Sequence, residues 1–194
     1  NPSVAPYIFG TKNKTDIFDL DKSQGLLESA KTFVTGLAKE NKTLLFVGGK
    51  KEASAAIKST AQSLNMPYVE GRWIGGTLTN FTQIRKRIDR YEKLVSDRDK
   101  GELAKYTKRE RMLIDKEIAK LERMFYGIVS LKKIPDAMCI IDPRKEKNAL
   151  AEAAHAHIPV IAVAGSDCEI DSITYPILGN DGSKTSIQFF ITEI

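Results

Sequence analysis

The sequence has little with which to cross-link itself, hold a metal or span a membrane. It carries two cysteines in 194 residues. Cys139 lies inside an apolar run and Cys168 far from it, so neither a disulfide framework nor a four-ligand zinc site can be built, and a reducing compartment fits best. His155 and His157 are the only histidines, and no cysteine or carboxylate stands at a spacing that completes a metal site around them. No metal and no cofactor is therefore expected. No apolar run approaches the roughly 20 residues of a spanning helix, and no signal-peptide pattern precedes the first folded segment. Since the sequence opens at Asn1 rather than Met, that missing pattern says nothing about location. Repeats and low-complexity tracts are absent, and Trp73 is the one tryptophan.

What is present is charge, unevenly spread. The net charge of +5, from 30 basic and 25 acidic residues, is by itself a weak pointer to a polyanion. Its position says more: from Arg72 to Lys132 there are 16 Lys and Arg against 9 Asp and Glu, a net of +7, while the remainder holds 14 against 16, a net of −2. The basic surplus lies entirely in the middle third.

Hydrophobic spacing predicts the architecture. Asp16 to Leu20 alternates like a half-buried strand. Residues 22–39 carry apolar groups at helical spacing, with Ser23 placed as N-cap. Thr43 to Val47 is a continuous apolar run, read as a strand buried on both faces. A helix over 52–64 and a short strand at Met66 to Val69 come next. Beyond the interruption the alternation resumes: strands at Ala137 to Ile141 and Pro159 to Val163, a helix over 145–155 between them, a short strand near Tyr175 to Ile177, and a last helix through Ile187, Phe190 and Ile191. This is the pattern of right-handed crossover units on a parallel sheet. Within the interruption, Phe81, Ile84, Ile88, Tyr91 and Val95, and then Ile114, Ile118, Leu121 and Phe125, form narrow apolar seams on otherwise charged helices. Thr107-Lys108-Arg109-Glu110 is a capping box. The expectation is an α/β domain of residues 1–70 and 134–194, with residues 71–133 inserted as an antiparallel coiled-coil hairpin on a basic base.

Three places can carry chemistry. Gly48-Gly49-Lys50-Lys51 joins a strand to a helix, where parallel sheets bind phosphates. Neither the P-loop spacing nor the dinucleotide fingerprint is met, and the tetrapeptide serves equally as a turn with two lysines facing a nucleic-acid backbone or plain solvent. Asp142 and Asp167 both follow strands at the same sheet edge, where paired acids can do acid-base work, although each also suits turn or cap chemistry. An enzyme binding a nucleotide or phosphosugar there, with Gly48, Gly49, Asp142 and Asp167 as its site, is the alternative function. The histidines suit a helix C-terminus, and neither cysteine has a base beside it.

The third place is the stretch from Gly71 to Arg90. Arg72, Arg85, Lys86, Arg87 and Arg90 offer phosphate contacts, Trp73 can stack on an unpaired base or anchor the loop, and Thr79 or Asn80 can cap a helix while donating to sugar or phosphate. Gly75-Gly76 lets the backbone approach another surface. Together with Lys50 and Lys51 these are the expected RNA-binding residues.

The run Trp73-Ile74-Gly75-Gly76-Thr77-Leu78-Thr79-Asn80-Phe81 closely resembles the W-L-G-G-M-L-T-N-F signature of the bacterial-type S-two family of the small ribosomal subunit. Further pieces match in order, among them Pro6-Tyr7-Ile8, Ile17-Phe18-Asp19-Leu20, Phe46-Val47-Gly48, Ile158-Pro159-Val160 and Gly179-Asn180-Asp181. The resemblance covers essentially the whole chain. It implies a flavodoxin-like (Rossmann-like) parallel sheet with a protruding coiled-coil hairpin, no catalysis, and a place on the cytoplasmic ribosome, with an organellar ribosome as the alternative. It also implies contact with small-subunit ribosomal RNA near the junction of head and body, and support of neighbouring proteins, including the large first protein of the small subunit. Two departures stand out: Gly49 where Thr is usual, and Gly165 to Asp171 in place of a D-T-N-x-D-P-D run, with Ile170 at its proline. On this reading, replacing Arg85, Lys86 and Arg87 together flattens the slope of log K against log salt by roughly 2 to 3 units.

Overall fold

Four consecutive apolar residues with no polar alternation fit only a strand covered on both faces, and Leu44–Val47 (β3) occupies such a place. The computed structural model describes residues 1–194. Tyr68–Val69 (β4), Ala137–Ile141 (β5), Val160–Ala164 (β6) and Tyr175–Leu178 (β7) complete a five-stranded parallel sheet in the order β4-β3-β5-β6-β7. Numbered along the chain, these strands run 2-1-3-4-5, the flavodoxin-like arrangement.

The two-residue period of a strand divides the core. Phe46, Cys139, Ile141, Ile161 and Val163 face one side, against α1 (Leu20–Lys39), α2 (Lys51–Ser63) and α6 (Lys184–Glu193). Leu45, Val47, Met138, Ile140 and Ala162 face the other, against α5 (Lys147–His155) and the two central helices, α3 (Phe81–Asp99) and α4 (Lys108–Phe125). Ile84, Ile88 and Phe125 sit in the same core as Met138 and Ile140, so the sheet-proximal turns of α3 and α4 are part of the body's packing. Farther out, Tyr91 and Leu94 of α3 close on Ile118 of α4, with Val95 and Ile114 at the margin. Gly101 (φ 75°) and a 3-10 turn at Glu102–Lys105 join the two helices, and the Thr107–Glu110 capping box is present in full.

Two expectations are corrected. The strand at residues 16–20 is absent from the parallel sheet. Thr15–Phe18 (β2) pairs antiparallel with Ile8–Lys12 (β1) as a separate hairpin, its two-residue turn formed by Asn13 (φ 51°) and Lys14 (φ 62°). Positive φ at both central residues matches the right-handed twist of the strands. Nor is Ser23 the cap of α1. Asp19 caps it, its carboxylate accepting from the Lys22 amide, and Ser23 is buried one turn in with its hydroxyl unpaired.

The foot of α4 is fixed by an exceptionally close approach. A Cβ on Gly127 would lie 2.2 Å from the Tyr68 carbonyl oxygen, a backbone atom of β4 that cannot swing aside. Gly127→Ala is therefore expected to lower the unfolding free energy by roughly 2 to 3 kcal/mol. Urea titration followed by Trp73 fluorescence measures this, and wild-type stability would remove the packing constraint.

Candidate nucleic-acid interface

Glu152, on α5, organises the Gly-Gly loop. One carboxylate oxygen accepts from the Trp73 indole Nε1–H (3.0 Å) and the Gly76 amide (2.8 Å), and the other from the Leu78 amide (2.9 Å), the Thr79 amide (3.2 Å) and the Thr79 hydroxyl (3.3 Å). Gly76 takes φ 88°, open to glycine at little cost, and so turns the amides inward. Partial burial pushes the carboxyl's pKa up, but the indole and the three amides outweigh it and hold the value below 4.5. Trp73 is consequently buried, 6% exposed, with its one polar atom satisfied. Of the two roles open to Trp73, stacking on a base is corrected and anchoring holds: the ring anchors the loop. Thr79 is likewise held by Glu152, while exposed Asn80 precedes α3 without a side-chain capping bond.

The carboxyl edge between β3 and β5, where this fold ordinarily takes a ligand, is filled from within. The Lys50 ammonium lies 2.6 Å from Asp142 and 3.0 Å from Asp181. Burial works against its charge, but the two carboxylates outweigh that and raise its pKa above 10.5. Lys50 is thus corrected from an RNA contact to a clamp joining α2 to the ends of β5 and β7. The Gly49 amide donates to Glu146 (3.0 Å), which places a carboxylate where a phosphate would bind. A Cβ at Gly49 would come within 2.8 Å of both Glu146 Oε1 and the Gly71 carbonyl, so glycine meets a packing need here. Asp142 Oδ1 accepts from the Lys145 amide, and Asp167 is engaged by Arg144. Asp142, Cys168 and Asp181 are close enough to share an ion, but the Lys50 ammonium already bridges the two carboxylates. Burial pushes the Cys139 thiol up to about 12 and the Cys168 thiol to about 11, which removes both as nucleophiles. His155 ends α5 in its last turn, the place expected of it.

The cations of α3 divide by partner. Arg85 is a third correction: it is tied to Asp89 (2.7 Å) and Glu92, and donates to the Val129 (2.9 Å) and Leu131 (3.3 Å) carbonyls, fastening α3 to the segment after α4. Arg90 shares Glu117 across the helix pair at 3.2 Å. Lys86 and Arg87 are exposed and make no ion pair, as are Arg72 beside the loop and Lys51 at the start of α2. Lys86, Arg87 and Arg90 line a groove of about 350 Å³ with Lys120 and Met124 of α4. At its foot a second cavity, of about 460 Å³, is lined by Arg72, Arg123 and Tyr126, and Met124 borders both. Lys120, Arg123 and Tyr126 escape a sequence reading centred on α3. Their signal was that Lys120 and Arg123 stand three apart, on one helical face.

The order 2-1-3-4-5, a ligand edge filled by the protein's own side chains and free cations gathered on a separate helical groove define a doubly wound α/β protein with a non-catalytic body. The ribosomal protein S2 family matches residues 1–194. Similar proteins include the small ribosomal subunit protein uS2 of Sulfurimonas denitrificans, 41% identical over 194 residues, covering 100% of this chain and 75% of that protein. The proteins of the same name from Geotalea uraniireducens (39% identical) and Wolinella succinogenes (40%) also match across 100% of this chain, and across 76% and 72% of their own lengths. The chain belongs to the ribosomal protein S2 family.

Glu152→Ala strands an indole N–H and three amides and is expected to cost about 3 kcal/mol at neutral pH. A pKa below 4.5 in the fold means that the stabilisation is present above that value and lost as pH falls through the lowered one. Glu152→Gln should therefore show a shallower loss of stability on acidification than the wild type. Equal acid sensitivity of the two proteins in urea titrations would contradict the clamp.

Proposed function

We propose that this protein is a structural, non-catalytic constituent of the small ribosomal subunit, and that it holds ribosomal RNA against the groove between α3 and α4. One observation carries the RNA contact: three exposed cations without ion-pair partners, Lys86, Arg87 and Lys120, line that groove together, with Arg72 and Arg123 at its foot. Phosphate contacts there supply salt-dependent affinity, and the shape of the body supplies placement. Of the residues that the sequence offers for RNA, Lys51, Arg72, Asn80, Lys86, Arg87 and Arg90 remain as contacts, while Lys50, Trp73, Thr79 and Arg85 support them from behind. The resemblance of the Trp73 to Phe81 run carries the finer part: a position near the head–body junction of a cytoplasmic ribosome, with an organellar one as the alternative, beside other small-subunit proteins, the large first protein among them.

An enzyme acting on a nucleotide or phosphosugar at the sheet edge finds no support, since Glu146 and the Lys50 cluster occupy that edge.

With Arg85 committed to the fold, the electrostatic test narrows. Lys86→Ala combined with Arg87→Ala should flatten the log K against log salt slope for protein-free small-subunit ribosomal RNA by about 1.5 to 2 units. Arg85→Ala should instead lower stability and leave the slope nearly unchanged. The groove is the wrong surface if the double substitution leaves the slope intact.

A further inference from the structure

We infer that the cavity at the foot of the groove receives a single unstacked base of the bound RNA, with Tyr126 as its stacking platform. This rests on the RNA reading of the groove and adds a ligand chemistry and an aromatic residue to it. Tyr126 caps the C-terminal end of α4, its amide donating to the Glu122 carbonyl, and its side chain is 53% exposed. The next residue, Gly127, is pressed against the Tyr68 carbonyl with no room for even a Cβ, which fixes the backbone on that side. An aromatic ring is thus left at the surface on a backbone fixed on both sides.

The cavity's charges fit a base better than a phosphate. Arg72 and Arg123 line it and make no ion pair, so their planar guanidinium groups are free to lie on a base or grip the phosphates beside it. Glu70, Glu122 and Lys58 line it as well, with Glu70 already engaged by Ser54 and by Lys58, whose charge it offsets. Carboxylates repel a phosphate but accept hydrogen bonds from base edges. Phosphates are therefore directed to the arginines and the base to the ring. The volume of about 460 Å³ lies within the range of small-ligand sites. Met124, shared with the groove, connects the two, so a strand following Lys86, Arg87 and Lys120 can turn one base aside here without leaving the surface. Trp73, 6% exposed, cannot serve in this role.

The test uses the full chain with protein-free small-subunit ribosomal RNA. Ultraviolet irradiation followed by digestion and mass spectrometry is expected to find a nucleotide adduct on Tyr126. Tyr126→Leu should weaken binding about 10-fold with the salt slope unchanged, since stacking releases no counterions, while Tyr126→Phe stays within about twofold of wild type. Melting temperature checks that each variant folds, and the adduct and the Phe variant still decide if Leu is not tolerated. Unaltered binding by Tyr126→Leu with adducts elsewhere overturns the inference and leaves the groove standing, provided that the Lys86 and Arg87 dependence persists. Absence of any salt-dependent affinity in the wild type overturns both. Protection of Tyr126 by excess free nucleoside monophosphates, with a rise in melting temperature, would make the cavity a free-nucleotide site and also overturn the inference.

Discussion

A single carboxylate, that of Glu152, decides where the outer half of the molecule begins. It stands on α5, packed against the sheet, and gathers the indole of Trp73 and the amides of Gly76, Leu78 and Thr79 from the loop that launches α3. Amides converging just ahead of a helix are what other proteins offer to a bound phosphate. Here the anion is part of the chain. The direction of α3, and through Arg85 and the seam residues that of α4, is set by one charge-assisted cluster.

The same substitution of side chain for ligand recurs at the sheet's switch point. Glu146 takes the Gly49 amide, and Lys50 sits between Asp142 and Asp181. Both places where this fold usually takes an anion are thus neutralised from within, and breaking either cluster would leave a partly buried charge without its partner. Charges at the sheet edge pair with one another and build the scaffold, while Lys86, Arg87 and Lys120 on α3 and α4 are unpaired and face solvent. A flavodoxin-like body that holds its own carboxylates at the ligand edge leaves that edge closed to a nucleotide and gives a rigid frame.

The fold was largely legible in the sequence because its strands are apolar runs and its helices keep a clear period. Leu44–Val47 and Ala137–Ile141 announce themselves, as do the capping box at Thr107 and the seam through Ile84, Ile88 and Tyr91. The β1–β2 hairpin was not, since its turn is Asn13-Lys14 without glycine, and only a left-handed lysine reveals it. The partners of the residues proposed to meet RNA were not legible in the sequence. Trp73 and Glu152 are 79 residues apart, Lys50 and Asp181 are 131, and Arg85 reaches carbonyls 44 and 46 residues on. Spacing along the chain encodes which face of a helix a residue occupies. It carries no information about which distant carboxylate will claim a cation, so a residue type that suits RNA and one that suits a clamp look alike until the chain is folded.

This limits what a charge count can mean. The net of +7 between Arg72 and Lys132 already includes the pairs that Arg85, Arg90 and Arg98 make within the helical pair, so it gives the surplus and says nothing of where the unpaired cations lie. The exposed pairs of Arg90 and Arg98 contribute little to stability, unlike the half-buried Arg85 cluster, but they fix where charge is cancelled. Part of the unpaired charge forms a stripe, Lys86 and Arg87 with Lys120 in one groove, that continues at the foot into Arg72 and Arg123 around an aromatic ring. Polyanion affinity scales with the phosphates neutralised and not with total charge. On the proposed reading, a short stripe with a fixed direction would follow the course of a backbone more selectively than a uniformly basic surface of the same net charge.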